Sequence, residues 1–402
     1  MHCRLAIPLL LSIWCSLYAA SPCRADAEKL QIDAGFPGGN IVVDKLDGDN
    51  VHLHQDLRDT AGDWFYWYFR VRGAQGRTLT FHFTKGNPLG VRGPAVSLDE
   101  GKTWKWLGAP AVRGSSFHFA FPADAREVRF CVAFPYQERN LKDFLARFEK
   151  NLHLKVETLC KTAKGREVEL LRLGRLDGQA KQRVALTCRH HSCEMMASYV
   201  LEGLIEAVLA DTDDGKWLRE HVEFFIVPLV DKDGVEDGDQ GKNRKPYDHN
   251  RDYAGDSIYA SVKAIRERLP QWADGKLRFA MDMHCPANRG NGHETIYFVG
   301  GPNEAIWKEV GKFSKLLETT QQGSLVYSSK NNLPFGQGWN TQATYGNRKA
   351  FSRWAAELPG VRFASTLEVA YANADGKVVT DESARTLGRD LVRALRKYLA
   401  EE

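Results

Sequence analysis

The chain has 402 residues, 43% of them hydrophobic and 26% charged, and 55 Lys and Arg against 51 Asp and Glu give a formal net charge of +4. With 20 Phe, 13 Tyr and 10 Trp, this composition is too apolar for a disordered protein and excludes a fibrous one. The small net charge, without a block of like charges, excludes a basic nucleic-acid binder. The sequence also lacks the long apolar stretches of a multi-span membrane protein.

The first 27 residues have the pattern of a cleaved secretory signal. A weakly basic start precedes an almost wholly apolar run at 5–20, and Ala-Asp-Ala at 25–27 is typical of a signal-peptidase site. The run is shorter than the ~20 residues of a spanning helix and contains Pro8. Trp14 precedes Cys15 and Pro22 precedes Cys23. A lipidation signal would carry a small residue there, which disfavours a lipoprotein. We therefore expect a periplasmic or secreted protein without a stable membrane span.

Removal of that signal leaves an odd number of cysteines, so at least one thiol stays unpaired unless it pairs between chains. They are Cys131, Cys160, Cys188, Cys193 and Cys285. Their spacing is not that of a dense disulfide framework. The sequence leaves the state of each thiol open, and the oligomeric state as well.

Residues 28–138 have the pattern of short strands. The segments 64–72 and 78–84 are rich in aromatic and β-branched residues, and Gly, Asn and Asp clusters separate them from their neighbours. This pattern predicts a small all-β sandwich domain. Residues 97–104 have the form of an Asp-box hairpin, but the single copy favours one turn over a propeller.

Residues 139–402 alternate strands and helices after an opening helix at 141–152. Strands are predicted at 168–173, 183–187, 223–229, 278–283 and 362–368, and helices at 194–210, 257–269, 304–319 and 384–401. The pattern predicts an α/β domain with a mixed, largely parallel sheet and helices on both faces.

The first chemical motif lies at a predicted strand-to-helix junction. His191 and Glu194 form H-x-x-E, and side chains three residues apart in a first helical turn can contact one ion. Imidazole with carboxylate is a favourable zinc pair. The alternative is a chance H-x-x-E in which both side chains are solvated and bind no metal. His190 is an alternative ligand, but it has no carboxylate three residues further on.

Two more strands end in residues of the same kind. His284 follows an apolar run; it is either a polar end cap or the third member of the two-His, one-Glu set of catalytic zinc sites. Glu368 stands in another apolar run, where a carboxylate is costly to bury without a partner or a task. Arg244 and Arg251, in the loop between, are either surface charges or binding groups for a carboxylate and an oxyanion.

Together these residues resemble the zinc metallocarboxypeptidases related to carboxypeptidase A, especially the cytosolic carboxypeptidase branch and its bacterial relatives. The matching motifs, in order, are H-x-x-E at 191–194, D-G at 233–234, N-R at 243–244, D-x-N-R at 248–251, D-x-H at 282–284 and T-L-E at 366–368. In that branch a β-rich domain precedes the catalytic one. The chain departs from the family in Ser192 and Cys193, where members commonly have Pro-Gly, and in Cys285 directly after the third ligand.

The resemblance implies one zinc ion and a role for each matching residue. It implies His191, Glu194 and His284 as zinc ligands, Asp248 as the hydrogen-bond partner of His191, Glu368 as general base, Arg244 as oxyanion partner, and Asn250 and Arg251 as binders of the substrate carboxylate. Tyr345 lies about where the family places a mobile substrate-contacting tyrosine.

The implied activity is hydrolysis of the C-terminal peptide bond of a peptide or protein. A basic run that includes Arg348 and Arg353 precedes Glu368; it is either a solvated helix face or a pocket that prefers a C-terminal Glu or Asp. Two alternatives remain: a zinc amidohydrolase of the same fold acting on N-acyl amino acids or cell-wall peptides, and a non-catalytic protein that stacks Trp64, Trp67, Trp104 and Trp106 on glycans.

Overall fold

The computed structural model describes residues 29–290 and 292–401. The signal peptide predicted at 1–27 lies outside the described residues. Within the described part, no helix is both long and apolar enough to cross a membrane.

The amino-terminal region consists of two five-stranded sheets, ordered β1-β4-β10-β6-β7 and β2-β3-β5-β9-β8. Their strands are β1 (Gln31–Asp33), β2 (Val42–Asp47), β3 (Asn50–His54), β4 (Tyr68–Arg72), β5 (Thr78–Phe83), β6 (Ala95–Ser97), β7 (Lys105–Trp106), β8 (Val112–Arg113), β9 (Ser116–Ala120) and β10 (Glu127–Cys131). In β5, buried Leu79, Phe81 and Phe83 alternate with more exposed residues, as in a strand with one face in the core. The predicted β-rich region is confirmed.

The predicted Asp-box segment is a single hairpin turn. It joins the antiparallel strands β6 and β7. Inside it, Ser97 Oγ accepts a hydrogen bond from the Gly101 N–H at 2.9 Å, and Asp99 Oδ1 accepts one from the Thr103 N–H at 2.9 Å. These local bonds account for the sequence pattern as turn chemistry.

The tryptophans considered as a glycan platform are spread over different environments. Trp67 is fully buried, Trp104 packs edge-on against Tyr68 with ring centroids 5.6 Å apart, and Trp106 donates to the Val379 carbonyl at 2.7 Å. Of the four, Trp64 lines a cavity of about 340 Å³ at the edge of the second region's main sheet. The four rings therefore do not form one exposed stacking surface.

We expect Trp67→Ala to lower the free energy of unfolding by about 3 to 5 kcal/mol. Its ring lies between 5.0 and 6.2 Å from those of Phe69, Phe83 and Phe117, so truncation leaves a cavity in the sandwich core. Urea unfolding measures the change. Leu152→Ala, at a side chain that is 89% exposed, is the control and should change the value by less than about 0.5 kcal/mol. Equal effects of both substitutions would contradict this core assignment.

The second region is an α/β unit. Its strands are β11 (Leu154–Lys161), β12 (Glu167–Gly174), β13 (Gln182–Cys188), β14 (Val222–Val227), β15 (Leu277–His284), β16 (Tyr297–Val299), β17 (Phe363–Glu368), β18 (Asn373–Ala374) and β19 (Lys377–Val378). Its helices are α1 (Glu138–Ala146), α2 (Met195–Leu209), α3 (Asp213–His221), α4 (Lys232–Asp237), α5 (Ala260–Ala273), α6 (Glu304–Thr320), α7 (Gln342–Tyr345), α8 (Phe351–Ala355) and α9 (Asp381–Ala400). Each strand and helix predicted here from the sequence overlaps one of these elements.

The main sheet has seven strands in the order β11-β12-β14-β13-β15-β17-β16. The central pairs β13/β14, β13/β15 and β15/β17 are parallel, while the outer pairs β11/β12, β12/β14 and β16/β17 are antiparallel. The sheet is therefore mixed, as predicted, but less dominated by parallel pairs than expected, because its edges are antiparallel.

Helices α2 and α9 pack with their backbones in contact. A Cβ at Gly203 would lie 1.9 Å from the Arg385 carbonyl oxygen, and a Cβ at Gly388 would lie 2.1 Å from that of Val200, so both crossing positions require glycine. At the start of α9, the Thr380 hydroxyl accepts from the Ser383 N–H and caps the helix. This packing fixes α2, which begins directly after Glu194. The domain boundary predicted between 138 and 139 stays a prediction.

Candidate active site

The site forms where three neighbouring strands end. In the parallel register, Cys188 of β13 lies opposite Met283 of β15, and His284 lies opposite Glu368 of β17. The turn from β13 into α2 carries His191 and Glu194 to the same edge. Carboxyl ends of parallel strands are where open α/β sheets bind ligands, so the topology alone gathers these side chains.

The imidazoles of His191 and His284 and the carboxylate of Glu194 converge at this edge of the sheet. Glu194 Oε1 lies 2.9 Å from His191 Nδ1, and Glu194 Oε2 lies 2.7 Å from His284 Nδ1. The ligand atoms of the three residues all lie within 4.8 Å of one another, and all three residues are buried. Glu194 Oε2 is buried and close to His284 Nδ1, but the two atoms do not meet hydrogen-bond geometry, and a cation bound by both would satisfy the oxygen. This donor set fits zinc.

Each histidine of this set has an outer carboxylate partner. Asp248 Oδ1 lies 3.5 Å from His191 Nε2, and Asp282 Oδ2 lies 2.6 Å from His284 Nε2. Such partners fix the tautomer and leave Nδ1 for the metal. Asp248 is where the resemblance implied it, whereas the role of Asp282 was missed, although the D-x-H spacing could have indicated it.

His190 is not available as a ligand. Its Nδ1 lies 2.8 Å from Asp282 Oδ1 and its Nε2 lies 2.7 Å from the Tyr253 hydroxyl. The residue is fully buried, so both ring nitrogens are occupied. Of the two neighbouring histidines, His191 therefore carries the ligand role.

Burial and neighbouring charges shift the pKa values of Glu194 and Glu368 in opposite directions. Burial alone would raise the pKa of Glu194, but His284, Lys242 and His191 hold it well below its ordinary value. Burial raises the pKa of Glu368, helped by the charge of Glu194. Glu368 Oε2 is buried without a hydrogen-bond partner. One carboxylate thus stays charged as a ligand, while the other can gain a proton.

A cavity of about 340 Å³ opens over these groups. Eight of the site residues expected from the resemblance line it, among them Asn250, Arg251, Tyr345 and Glu368. Its lining is Trp64, His191, Glu194, Lys242, Asn243, Asp248, Asn250, Arg251, His284, Pro286, Ala287, His293, Tyr297, Trp339, Thr344, Tyr345, Thr366 and Glu368. The size suits the end of a peptide chain.

Two predicted site residues lie elsewhere. The Arg244 guanidinium contacts Asp59, Asp231 and Asp239 at 2.8 to 3.0 Å and lines a different cavity. Its prediction as oxyanion partner is therefore corrected: three carboxylates hold the group away from the metal ligands.

Arg348 is likewise outside the metal cavity. Its guanidinium lies over the Tyr247 ring at 3.7 Å from the centroid, and it lines a neighbouring cavity of about 410 Å³. The structure does not bring Arg348 to the metal ligands, so the predicted direct substrate contact is corrected as well. The side chain packs on tyrosine instead.

Lys242 is a further residue of the site that was not predicted from the sequence. Its Nζ lies 2.8 Å from Glu194 Oε1 and donates to the Cys285 carbonyl oxygen at 2.9 Å. Trp64 was weighed only as a glycan contact, yet its ring lies 5.7 Å from this Nζ and comes from the β-rich region. The sequence signal for Lys242 was its position directly before the N-R motif. For Trp64 there was none, because the contact joins distant parts of the chain.

The cysteines of the described chain are unpaired: Cys131, Cys160, Cys188, Cys193 and Cys285. Burial raises the pKa of the Cys193 thiol to about 12, and its Sγ accepts from the Gln240 amide at 3.0 Å. Thiols next to the ligands therefore act as packing groups, because reactivity requires the thiolate.

Comparison with known proteins agrees with this geometry. The family described as zinc carboxypeptidase matches residues 141–273, which include the H-x-x-E and D-x-N-R motifs. The chain contains a zinc carboxypeptidase domain. With His191, Glu194 and His284 in place, zinc is the cofactor of this domain.

Related sequences and structures extend beyond the zinc carboxypeptidase domain itself. An uncharacterised protein of Zymomonas mobilis is 25% identical over 92% of this chain and 97% of its own length. Cytosolic carboxypeptidase 6 of Caenorhabditis elegans is 24% identical over 71% of this chain and 68% of its own. A metallo-carboxypeptidase from Burkholderia cenocepacia has the same fold, with a TM-score of 0.75 and 22% identity, covering 92% of this chain and 99% of that one.

Several longer cytosolic carboxypeptidases are matched over only 17% to 36% of their own length. At the level of the family, the protein is a zinc-dependent peptidase of the carboxypeptidase type. Its predicted carboxypeptidase-like α/β fold is confirmed.

Proposed function

We propose that this protein removes the C-terminal residue of peptides, with Glu368 as general base and a preference for acidic C-terminal residues. The amino-terminal pattern supports export, so we place this activity outside the cytoplasm. The observation that carries the proposal is Glu368: a buried carboxylate at the end of β17, in register with the ligand His284 and without a hydrogen-bond partner on Oε2.

Glu368 can move one proton through the reaction. When bound, zinc supplies Lewis-acid polarisation of the scissile carbonyl and makes water more acidic. The water oxygen forms the new C–O bond while Glu368 accepts one of its protons, and Glu368 passes that proton to nitrogen as the C–N bond breaks. The second water proton leaves when the new carboxylic acid ionises. The raised pKa of Glu368 suits a group that must both accept and return a proton.

Arg251 is the group for the substrate's terminal carboxylate. It lines the metal cavity, and among residues 29–290 and 292–401 its guanidinium donates to the neighbouring Asn250 carbonyl alone, at 2.9 Å from Nη1, which leaves most of its donors for a ligand. Asn250 lies beside it with its side-chain oxygen accepting from the Phe351 N–H at 3.0 Å, so its position is fixed. A guanidinium that can bind a carboxylate in bidentate fashion gives the selectivity of an exopeptidase.

The acidic preference rests on a second guanidinium. Arg353 lines the neighbouring cavity of about 410 Å³, but its guanidinium lies 3.4 Å from the centroid of the Tyr345 ring, which is part of the metal-cavity wall. Arg251 lies 4.6 Å from the same ring. Neither arginine has a carboxylate partner among the described residues, and Arg353 Nη2 is buried without a hydrogen bond. Both side chains are only partly buried, but two cations without a carboxylate partner at one ring favour a negatively charged side chain entering beside Tyr345.

We expect Arg353→Leu to lower kcat/KM for a peptide ending in Glu by about tenfold to a hundredfold, because a charge-assisted hydrogen bond contributes roughly 1.5 to 3 kcal/mol. For the same peptide ending in Gln or Leu, kcat/KM should change little. Competition between the peptides in one reaction, followed by mass spectrometry, gives the ratio directly. Arg139→Leu, at an exposed side chain, is the matched control. A parent protein that prefers Phe or Leu would refute the acidic preference.

A further inference from the structure

The loop at residues 239–244 places a lysine in the metal cavity. Lys242 Nζ lies 2.8 Å from Glu194 Oε1 and 2.9 Å from the Cys285 carbonyl oxygen. An ammonium group has three N–H donors, and no third acceptor is found for it among the described residues. One donor therefore remains for a ligand next to the metal-binding carboxylate.

The same loop holds Arg244 out of the cavity. Gly234 makes this arrangement feasible, because a Cβ there would lie 2.5 Å from Arg244 Nη2 and 2.4 Å from Asp231 Oδ2. The guanidinium thus occupies space that a side chain at residue 234 would fill. With three carboxylates around it, Arg244 would lose several ion pairs to reach a substrate. It cannot be the free cation of the site.

Residues of the β-rich region fix the loop. Asp59 accepts hydrogen bonds from the backbone N–H groups of Gln240 at 3.1 Å and Gly241 at 2.8 Å. Thr60 donates to the Lys242 carbonyl oxygen at 2.5 Å. At Gly241, with φ of +81°, a Cβ would lie 2.4 Å from the Ser192 nitrogen, so the loop lies directly against the turn that carries the ligands. Lys242 is therefore held in place before substrate arrives.

The two strong cations of the cavity lie apart. Among the described lining residues, Lys242 and Arg251 are the lysine and arginine. Lys242 contacts Glu194, whereas Arg251 lies against Tyr345. Arg251 is thus placed for the terminal carboxylate, and Lys242 is placed beside a carboxylate of the metal-binding set.

We propose that Lys242 is a catalytic residue whose ammonium stabilises the oxyanion of the tetrahedral intermediate. This inference rests on the proposed function and adds a residue that the family motifs do not mark. A fixed cation in a buried site acts on the developing negative charge without reorganisation, and removal of one such donor typically costs about 10² to 10³ in kcat.

The test compares Lys242→Met and Lys242→Arg with the parent in the full chain loaded with zinc. Three quantities are measured: zinc per chain, steady-state cleavage of a peptide ending in Glu, and calorimetric affinity for a phosphonate peptide whose tetrahedral phosphorus replaces the scissile carbon. We expect Lys242→Met to keep its zinc, to lose about 10² to 10³ in kcat with little change in KM, and to bind the phosphonate more weakly by a similar factor. Lys242→Arg should recover part of both losses.

Lys245→Met is the matched control, since Lys245 is an exposed lysine of the neighbouring chain segment; it should behave as the parent. Loss of zinc in Lys242→Met would show that Lys242 only holds Glu194, and unchanged phosphonate affinity would refute an oxyanion contact. If the parent cleaves no peptide, the proposed function fails. The ratio of phosphonate affinities between parent and variant still decides the role of Lys242.

Discussion

Glu368→Gln should lower kcat for C-terminal cleavage by about 10² to 10⁴ while zinc remains bound. The amide has nearly the shape of the carboxylate but cannot take a proton from water. Glu368 is not one of the three converging metal donors, so the ligand set stays intact. Single-turnover kinetics with a peptide ending in Glu measures the loss, and metal analysis of the same sample measures the zinc.

Glu304→Gln is the control for this substitution. Glu304 is exposed in the first turn of α6 and does not line the metal cavity, so its substitution should leave kcat unchanged. If Glu368→Gln retained near-parent activity on every peptide that the parent cleaves, Glu368 would not be the base. If it lost zinc together with activity, the carboxylate would belong to the metal site instead.

His284→Ala should cost more zinc affinity than the substitution of an outer partner. Removal of the imidazole takes away one of three donor atoms that lie within 4.8 Å of one another. It also leaves Asp282, a buried carboxylate, without one of its two histidine partners. Asp282→Asn should weaken zinc binding by about 10- to 100-fold, and His284→Ala by more than that. Competition with a chromogenic chelator ranks the two variants against the parent.

The histidine control is His118→Ala, at an exposed position of β9, which should bind zinc as the parent does. Circular dichroism of each apo variant separates lost metal from lost fold. Parent-like zinc affinity in His284→Ala would contradict the ligand assignment, and equally a site at the neighbouring cluster of His190 and Asp282, which also includes His284.

The sequence predicted well those features that depend on local pattern. His284 and Glu368 each follow an apolar run, and buried parallel strands are made of such runs. The strand ends must then meet at one edge, which brings both side chains to the H-x-x-E turn. The register between β15 and β17 does not follow from the apolar pattern, because both faces of each strand are buried.

Features that depend on contacts between distant segments were not predictable. The position of Arg244 depends on Asp59, which belongs to the β-rich region 185 residues away in sequence. Asp59 also accepts hydrogen bonds from the N–H groups of Gln240 and Gly241, directly before Lys242. The N-R motif indicates Arg244 as a binding group. The sequence pattern alone cannot show that three carboxylates bind its guanidinium. The antiparallel edges of the main sheet were missed for a similar reason, because pairing partners are not local.

The most direct test of the account is mass spectrometry of a mixed peptide library treated with the zinc-loaded protein, with and without a chelator. We predict the stepwise loss of single residues from free C-termini, fastest where the last residue is Glu or Asp, with activity abolished by the chelator and restored by zinc. Peptides with an amidated C-terminus should remain intact, because Arg251 then has no carboxylate to bind. Internal fragments, cleavage of amidated peptides or turnover that resists the chelator would contradict the account.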